Sequence, residues 1–167
     1  HLADCCVLDV DIADGASRRL ASVHDDPDRT KRLRELEARR VHFGDWPFPV
    51  ATALSTDATV LADDLPPGWE QRDGVDAERA QVIRAIGIHG VMTLPLNARG
   101  RSVGALTLVA TDPARPFGAE QRTVAESLAK LAALAVDNAG LYQTAQQATV
   151  ARDEIIGMVS HDLRNPL

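Results

Sequence analysis

The chain has 167 residues, of which 45% are hydrophobic and 25% are charged, a balance typical of a soluble globular domain with some additional length. Its formal net charge is -6 and it contains no dense basic run, which argues against a nucleic-acid-binding protein. No apolar stretch approaches the roughly 20 residues that a membrane-spanning helix needs, and aromatic residues make up only 4%, so a pocket of stacked rings is not expected over most of the chain.

The start of the sequence predicts a β-hairpin followed by a charged helix. Alternating polarity and β-branched residues predict a strand over Cys5–Ile12. The pair Asp14-Gly15 predicts a turn, and residues 19–24 return as the second strand. Acidic residues then favour the start of a helix that continues over 30–40, with a mostly solvated surface.

Cysteines and isolated histidines give no sign of a metal site. Cys5 and Cys6 are adjacent, and neighbouring residues on a strand point to opposite faces, so a disulfide between them is not expected. Both thiols are interpreted as strand packing in a reducing compartment, the alternative being a redox or cofactor role. No CxxC pair or zinc-spaced cluster is present. His24, His42 and His89 are interpreted as structural or solvated, the alternative for His89 being ligation of a haem.

The middle of the chain alternates between loops and short elements. The stretch 42–49 must be a loop because it carries two prolines and a glycine. It also holds three of the six aromatic residues, which we expect to plug the edge of the core, the alternative being a lid over a ligand pocket: Phe43, Trp46 and Phe48. A short strand is predicted over 59–62, and helical spacing over 76–86 ends at Gly87.

The second half predicts a hairpin and then one long helix. Strands over 90–96 and 103–110 flank a turn at 97–101, and a rigid loop leads to Phe117. From there the pattern remains helical for about 45 residues, with no proline before Pro166. Hairpins dominate, so we predict an α+β fold with a mostly antiparallel central sheet, flanking helices and a long C-terminal connector helix.

The second part of the long helix carries a heptad pattern. Apolar or small residues, with one arginine, recur in steps of four and three: Leu141, Ala145, Ala148, Arg152, Ile155 and Val159. A helix of this length favours a dimeric coiled coil or a connector between domains. Both ends of the sequence look like cuts through a longer protein, so we expect a fragment.

The last residues carry the chemistry. The run Ser160-His161-Asp162-Leu163-Arg164-Asn165-Pro166-Leu167 resembles, residue by residue, the phosphoacceptor box of sensor histidine kinases. A neutral imidazole can attack the terminal phosphoryl group of ATP, a role that falls to His161. Asp162 is adjacent and suited to orient the ring or take its proton. By resemblance, Asn165 is the residue that positions water for phosphatase activity.

The preceding part resembles a GAF domain. The resemblance rests on the run GVMTLPLNARGRSVGALTLVA at 90–110, followed by Pro116-Phe117 and a long helix. It implies a central antiparallel sheet, a small-molecule pocket on one face and dimerisation through terminal helices. A PAS-type sensor is the competing interpretation. We find no cyclic-nucleotide signature and no cysteine where a bilin would attach, so the ligand is unknown.

Together these resemblances predict a GAF-like sensor domain over 1–140 and a signalling helix with a truncated phosphoacceptor segment over 141–167. The expected function is the sensory and relay part of a cytoplasmic two-component histidine kinase. The expected partners are a second copy of the chain, an ATP-binding kinase domain with ATP and Mg, a response regulator and a small-molecule signal. No cofactor or metal is expected in this chain. The alternative is a stand-alone GAF ligand-binding dimerisation module without phosphotransfer.

Overall fold

The computed structural model describes residues 2–12, 16–35, 41–42, 49–63, 65, 68–69 and 77–163, and the elements below belong to these ranges. The strands are β1 (Cys5–Ile12), β2 (Ala16–His24), β3 (Val41–His42), β4 (Val60–Ala62), β5 (Gly90–Ala98) and β6 (Arg101–Ala110). The helices are α1 (Pro27–Glu35), α2 (Val50–Thr56), α3 (Ala77–Ile86) and α4 (Ala119–Leu163).

The six strands form one sheet in the order β3-β2-β1-β6-β5-β4. All neighbouring pairs run antiparallel. Strand β1, from the start of the chain, lies between its hairpin partner β2 and the late strand β6. The predicted α+β class, with an antiparallel sheet and a long C-terminal helix, is confirmed.

The main core lies between the sheet and α4. Its largest buried side chains, each at most 2% exposed, come from β5: Met92, Leu94 and Leu96. They pack with Leu106 and Leu108 of β6 and with the buried face of α4. Alternate residues of a strand face opposite sides, which is why these leucines share one layer.

A close approach of β1 and β6 depends on Gly104. Its φ is +153°, and a Cβ built on it would lie 2.2 Å from the Asp9 carbonyl oxygen and 2.9 Å from Val10 Cα. Both atoms are backbone, so they cannot move aside as a side chain would. Only glycine fits at this position, where the backbones of the two central strands lie so close together.

The opposite face of the sheet carries two smaller clusters. One contains Cys5, Val7, Ile86, Val91 and Val109. The other places Ala105 against Val50, at the start of α2. Helices α2 and α3 therefore belong to the layer remote from α4.

The loop that leads into α4 is tied to the N-terminal segment by Asp4, which is buried. Its carboxylate accepts hydrogen bonds from the Thr111 backbone N–H at 2.8 Å and from Oγ1 at 2.9 Å, and it lies 2.9 Å from Arg115 Nη2. Burial by itself raises the pKa of Asp4, but the hydrogen bonds from Thr111 and the charge of Arg115 outweigh it and hold the pKa below its usual value.

Several element boundaries differ from the sequence predictions. Helix α1 begins at Pro27, earlier than predicted, because proline is favoured in a first turn and Asp26 Oδ1 caps it by accepting the Asp28 N–H at 2.9 Å. The turn predicted over 97–101 is only two residues long, since Ala98 pairs with Arg101. Helix α2 was not predicted. His42, predicted to lie in a loop, pairs with Ala16 in β3. The predicted turn at Asp14-Gly15, residues 36–40 and the predicted loop residues Phe43, Trp46 and Phe48 lie outside the described residues.

Candidate functional site

Helix α4 connects the sheet to the sequence that resembles a phosphoacceptor box. Gly118 precedes it, and the Gln121 side chain reaches back to accept the Gly118 N–H at 3.2 Å, half of a capping box. Phe117, 6% exposed, anchors the entry to the core. The helix then runs for 45 residues, Ala119–Leu163, as the sequence predicts.

The side of α4 that faces the sheet is built from small residues. Ala125, Ala129 and Ala133 are at most 5% exposed and recur every four residues. Their short side chains let the helix lie close to the leucines of β5 and β6. Ala132 and Val136 pack at the border of the same contact. This side holds the first half of α4 in place.

The opposite side of the same half carries large apolar residues in solvent. Its members are between 44% and 65% exposed: Val124, Leu128, Leu131 and Leu134. Leu141 and Tyr142 continue the exposed apolar surface further along α4. A helix with one apolar side on its own sheet and a second apolar side in water is suited to contact another chain.

The contact between α4 and the sheet ends at Asp137, which is 2% exposed. Its carboxylate lies against two arginines of the β5–β6 turn. Arg99 Nε is 2.8 Å from Oδ2, and Arg101 Nη2 donates to Oδ1 at 2.9 Å. Every residue over 138–152 is exposed. The sequence analysis missed this group, because nothing along the chain relates residue 137 to the hairpin.

The predicted phosphoacceptor residues lie at the far end of the helix. His161 and Asp162 belong to the last turn of α4, whereas Asn165 lies outside the described residues. At 1.5 Å per residue, His161 lies about 36 Å along the helix from Asp137. The structure therefore places the first two on one continuous helix with the sensor sheet, and their roles stay predictions.

Buried hydroxyls line the face of the sheet remote from α4. The register puts Ser22, Val7, Thr107 and Thr93 in one row across four strands. The three hydroxyl-bearing residues are at most 9% exposed, and the two threonine hydroxyls lie 3.2 Å apart. The two threonine hydroxyls are hydrogen-bonded to each other, so this row is a buried polar feature of the sheet face remote from α4.

A groove of about 300 Å³ lies on the α4 side, beside β5. Its polar lining includes Asp57, Asn97 and Glu126. Asn97 already donates to Asp57, and Arg122 donates to Glu126 at 2.9 Å. These polar groups of the groove therefore already have hydrogen-bond partners.

The isolated histidines and cysteines fit packing roles where they are described. His24 is buried, and its Nδ1 accepts the Asp26 backbone N–H at 2.9 Å. Cys5 and Cys6 form no disulfide, and burial raises the pKa of the Cys6 thiol. The described ranges contain no group of three His, Cys, Asp or Glu residues arranged to hold a metal ion. Nor do those ranges include a helix apolar and long enough to cross a membrane.

Solved structures with a similar fold come from several bacteria. The GAF-B domain of DevS from Mycobacterium smegmatis has 22% identity, 85% coverage of both chains and a TM-score of 0.58. A GAF domain/HD domain protein from Geobacter sulfurreducens has 17% identity, 83% coverage of both chains and a TM-score of 0.63. A domain of a proposed two-component sensor histidine kinase protein from Sinorhizobium meliloti 1021 has 14% identity, 86% coverage of both chains and a TM-score of 0.55.

No curated protein sequence matches this chain significantly. These three structural matches, at 14–22% identity, establish the fold but not the activity. A family model described as a GAF domain matches residues 3–137, which is most of the chain and includes the whole sheet. The chain therefore belongs to the GAF domain family.

Proposed function

We propose that this chain is the sensory and relay part of a two-component sensor histidine kinase and that His161 is its phosphoacceptor. As a GAF domain, the chain is a sensory and signalling module. One observation carries the finer proposal. A single helix leaves the sensor sheet and continues, without a break in the described residues, into the segment Ser160–Leu163 that resembles the phosphoacceptor box. A similar fold in a domain of a proposed sensor histidine kinase supports the same context.

The proposed reaction is a phosphoryl transfer in two steps. A ring nitrogen of neutral His161 attacks the γ-phosphorus of ATP, and the bond to the bridging oxygen breaks so that ADP leaves with the electron pair. The ring proton passes to Asp162 or to water. A response-regulator aspartate then attacks the phosphorus, the nitrogen–phosphorus bond breaks, and the imidazole recovers a proton. The ATP-binding domain, with Mg, is a separate partner in this scheme.

We further propose that two copies pair along the exposed side of α4. Counting back from Leu141 in the same heptad steps reaches, in turn, Asn138, Leu134, Leu131, Ser127 and Val124. Three of these five are large apolar residues that are 45% exposed or more. Asn138 falls at a core position, where a polar residue fixes the register of two helices. The seam therefore extends from the sheet to the phosphoacceptor segment.

The signal in this proposal begins on the face of the sheet remote from α4, where Thr93 and Thr107 lie. These threonines alternate along β5 and β6 with the leucines that touch α4. A ligand that changes the spacing of the two strands on one face changes the support of α4 on the other. The paired helices would pass that change to His161 as a rotation or a change of register.

The test is phosphorylation of the 167-residue chain by a histidine-kinase ATP-binding domain added in trans with Mg and ATP labelled at the γ-phosphate. We expect label that is stable to base, labile to acid and lost in His161→Gln. His89→Gln is the matched control and should retain the label. Asp162→Asn should slow labelling. Label that persists in His161→Gln would overturn the assignment. No label with any of several ATP-binding domains, while the chain still dimerises, would favour the stand-alone ligand-binding module.

A further inference from the structure

The junction between the β5–β6 turn and α4 holds a buried carboxylate that phosphotransfer does not use. Asp137 is the last residue of α4 to be buried against the sheet before the exposed stretch 138–152. An ionised carboxylate out of water is costly unless opposite charges and hydrogen bonds compensate it. Here the compensation comes from outside the helix, from Arg99 and Arg101.

The two arginines hold the carboxylate unequally. Arg101 makes a hydrogen bond to Oδ1, whereas the buried Oδ2 receives no well-directed hydrogen bond within the described residues and is held by the charge of Arg99. Both arginine side chains are more than 60% exposed. The contact thus joins a fixed, buried anion to two cations that water can reach.

The turn itself shows that Arg99 is placed for this contact. Arg99 and Gly100 have φ values of +52° and +76°, the left-handed pair of a two-residue hairpin turn. Asn-Gly or Asp-Gly is the sequence that such a turn prefers, because an arginine is strained in the first position. From this position the Arg99 guanidinium reaches the Asp137 carboxylate.

We propose that Asp137, Arg99 and Arg101 form an ion-pair latch that fixes where α4 leaves the sheet and transmits movement of the β5–β6 hairpin to the connector helix. The two arginines flank one glycine and move together with the hairpin. Beyond the latch, residues 138–152 are exposed, so the orientation of α4 at residue 137 sets the orientation of the helix that follows. The latch rests on the relay role proposed above but not on the chemistry of His161.

Hydrogen–deuterium exchange of the chain, read peptide by peptide, tests the latch. Asp137→Asn should accelerate exchange by about tenfold or more in peptides covering 97–103 and 132–145, while peptides from β1 keep their rates. Arg101→Gln, a milder change that leaves Arg99 in place, should show the same pattern with smaller amplitude. Glu126→Gln is the control, because it removes an exposed pair with Arg122 on the same helix and should change little.

A combination of substitutions tests whether the three residues act as one unit. If the three residues act together, adding Asp137→Asn to Arg99→Gln/Arg101→Gln should produce no further increase in exchange. Asp137→Glu, which keeps the charge, should restore part of the protection. Unchanged exchange at the junction in Asp137→Asn, or an equal rise across the whole sheet, would overturn the latch. Neither result depends on phosphate, so loss of labelling at His161 and failure of the latch are distinguishable.

Discussion

Replacing Leu131 by serine tests whether the exposed side of α4 is a dimer interface. Leu131 is 65% exposed and lies on the side of α4 turned away from the sheet, on the proposed seam. The substitution should leave the fold of one chain nearly unchanged, because the side chain contributes little to the core. Its effect should instead appear in the association of two chains.

The size of the effect follows from the exposed area. Full burial of a leucine side chain contributes about 1.5–3 kcal/mol, and roughly two thirds of this remains for Leu131 to gain. That leaves about 1–2 kcal/mol per chain and about 2–4 kcal/mol for a symmetric dimer that loses both leucines. The dimer Kd should therefore rise by about thirty- to several-hundredfold.

Sedimentation equilibrium over a concentration series measures this Kd, and circular dichroism monitors the fold. Val150→Ser is the matched control on the same helix. Val150 is 56% exposed, and its heptad position lies opposite the seam. It should leave the Kd within about threefold of the parent chain.

Two results would contradict the proposed interface. One is a chain that remains monomeric at all concentrations without any substitution. The other is an equal weakening of the dimer by Leu131→Ser and Val150→Ser, which would mean that helix propensity and not the seam governs association.

Three further substitutions test the fold that supports the helix. Gly104→Ala would place a methyl group 2.2 Å from the Asp9 carbonyl oxygen, so we expect a loss of more than about 3 kcal/mol in urea unfolding or failure to fold, and a near-neutral result would refute the close approach. Leu96→Ala empties a site that is 0% exposed and should cost about 2–5 kcal/mol, with a value below about 1 kcal/mol arguing against its burial. The pKa of Asp4 is lowered in the folded chain. The ionised carboxylate therefore contributes to the free energy of unfolding at neutral pH, and this contribution is lost as the pH falls below about 3.8. Asp4→Asn should therefore be less stable than the parent at pH 7, with a difference that shrinks towards pH 2, and a difference independent of pH would contradict the contact with Arg115.

The strands and the long helix could be predicted because their signals are local. The mostly apolar runs predicted as strands over 90–96 and 103–110 flank a turn that contains a glycine, and the structure places β5 and β6 there, extended to 98 and from 101. Helix α4 has the predicted length because no proline or cap interrupts it. Helix α2 was missed because seven residues carry too little periodicity to stand out.

The candidate site likewise contains residues that local sequence patterns could predict and a contact that they could not. His161, Asp162 and Asn165 were predicted from the resemblance of residues 160–167 to a phosphoacceptor box, which can be seen along the chain without the fold around them, and their roles stay predictions. The junction at Asp137 gave no such signal, since an aspartate in a helix is ordinarily solvated. Its burial depends on a hairpin more than 30 positions earlier in the chain.

Length, composition and charge by themselves indicated a globular domain with residues to spare, and local patterns assigned many of those residues to one long helix that includes His161. Only the tertiary structure decided which side of that helix is covered. Hydrophobic periodicity marks both apolar sides of α4, but the sheet can bury one of them, and close packing selects the side with the short Ala125, Ala129 and Ala133 side chains. The leucines therefore remain in water, where a second chain can cover them.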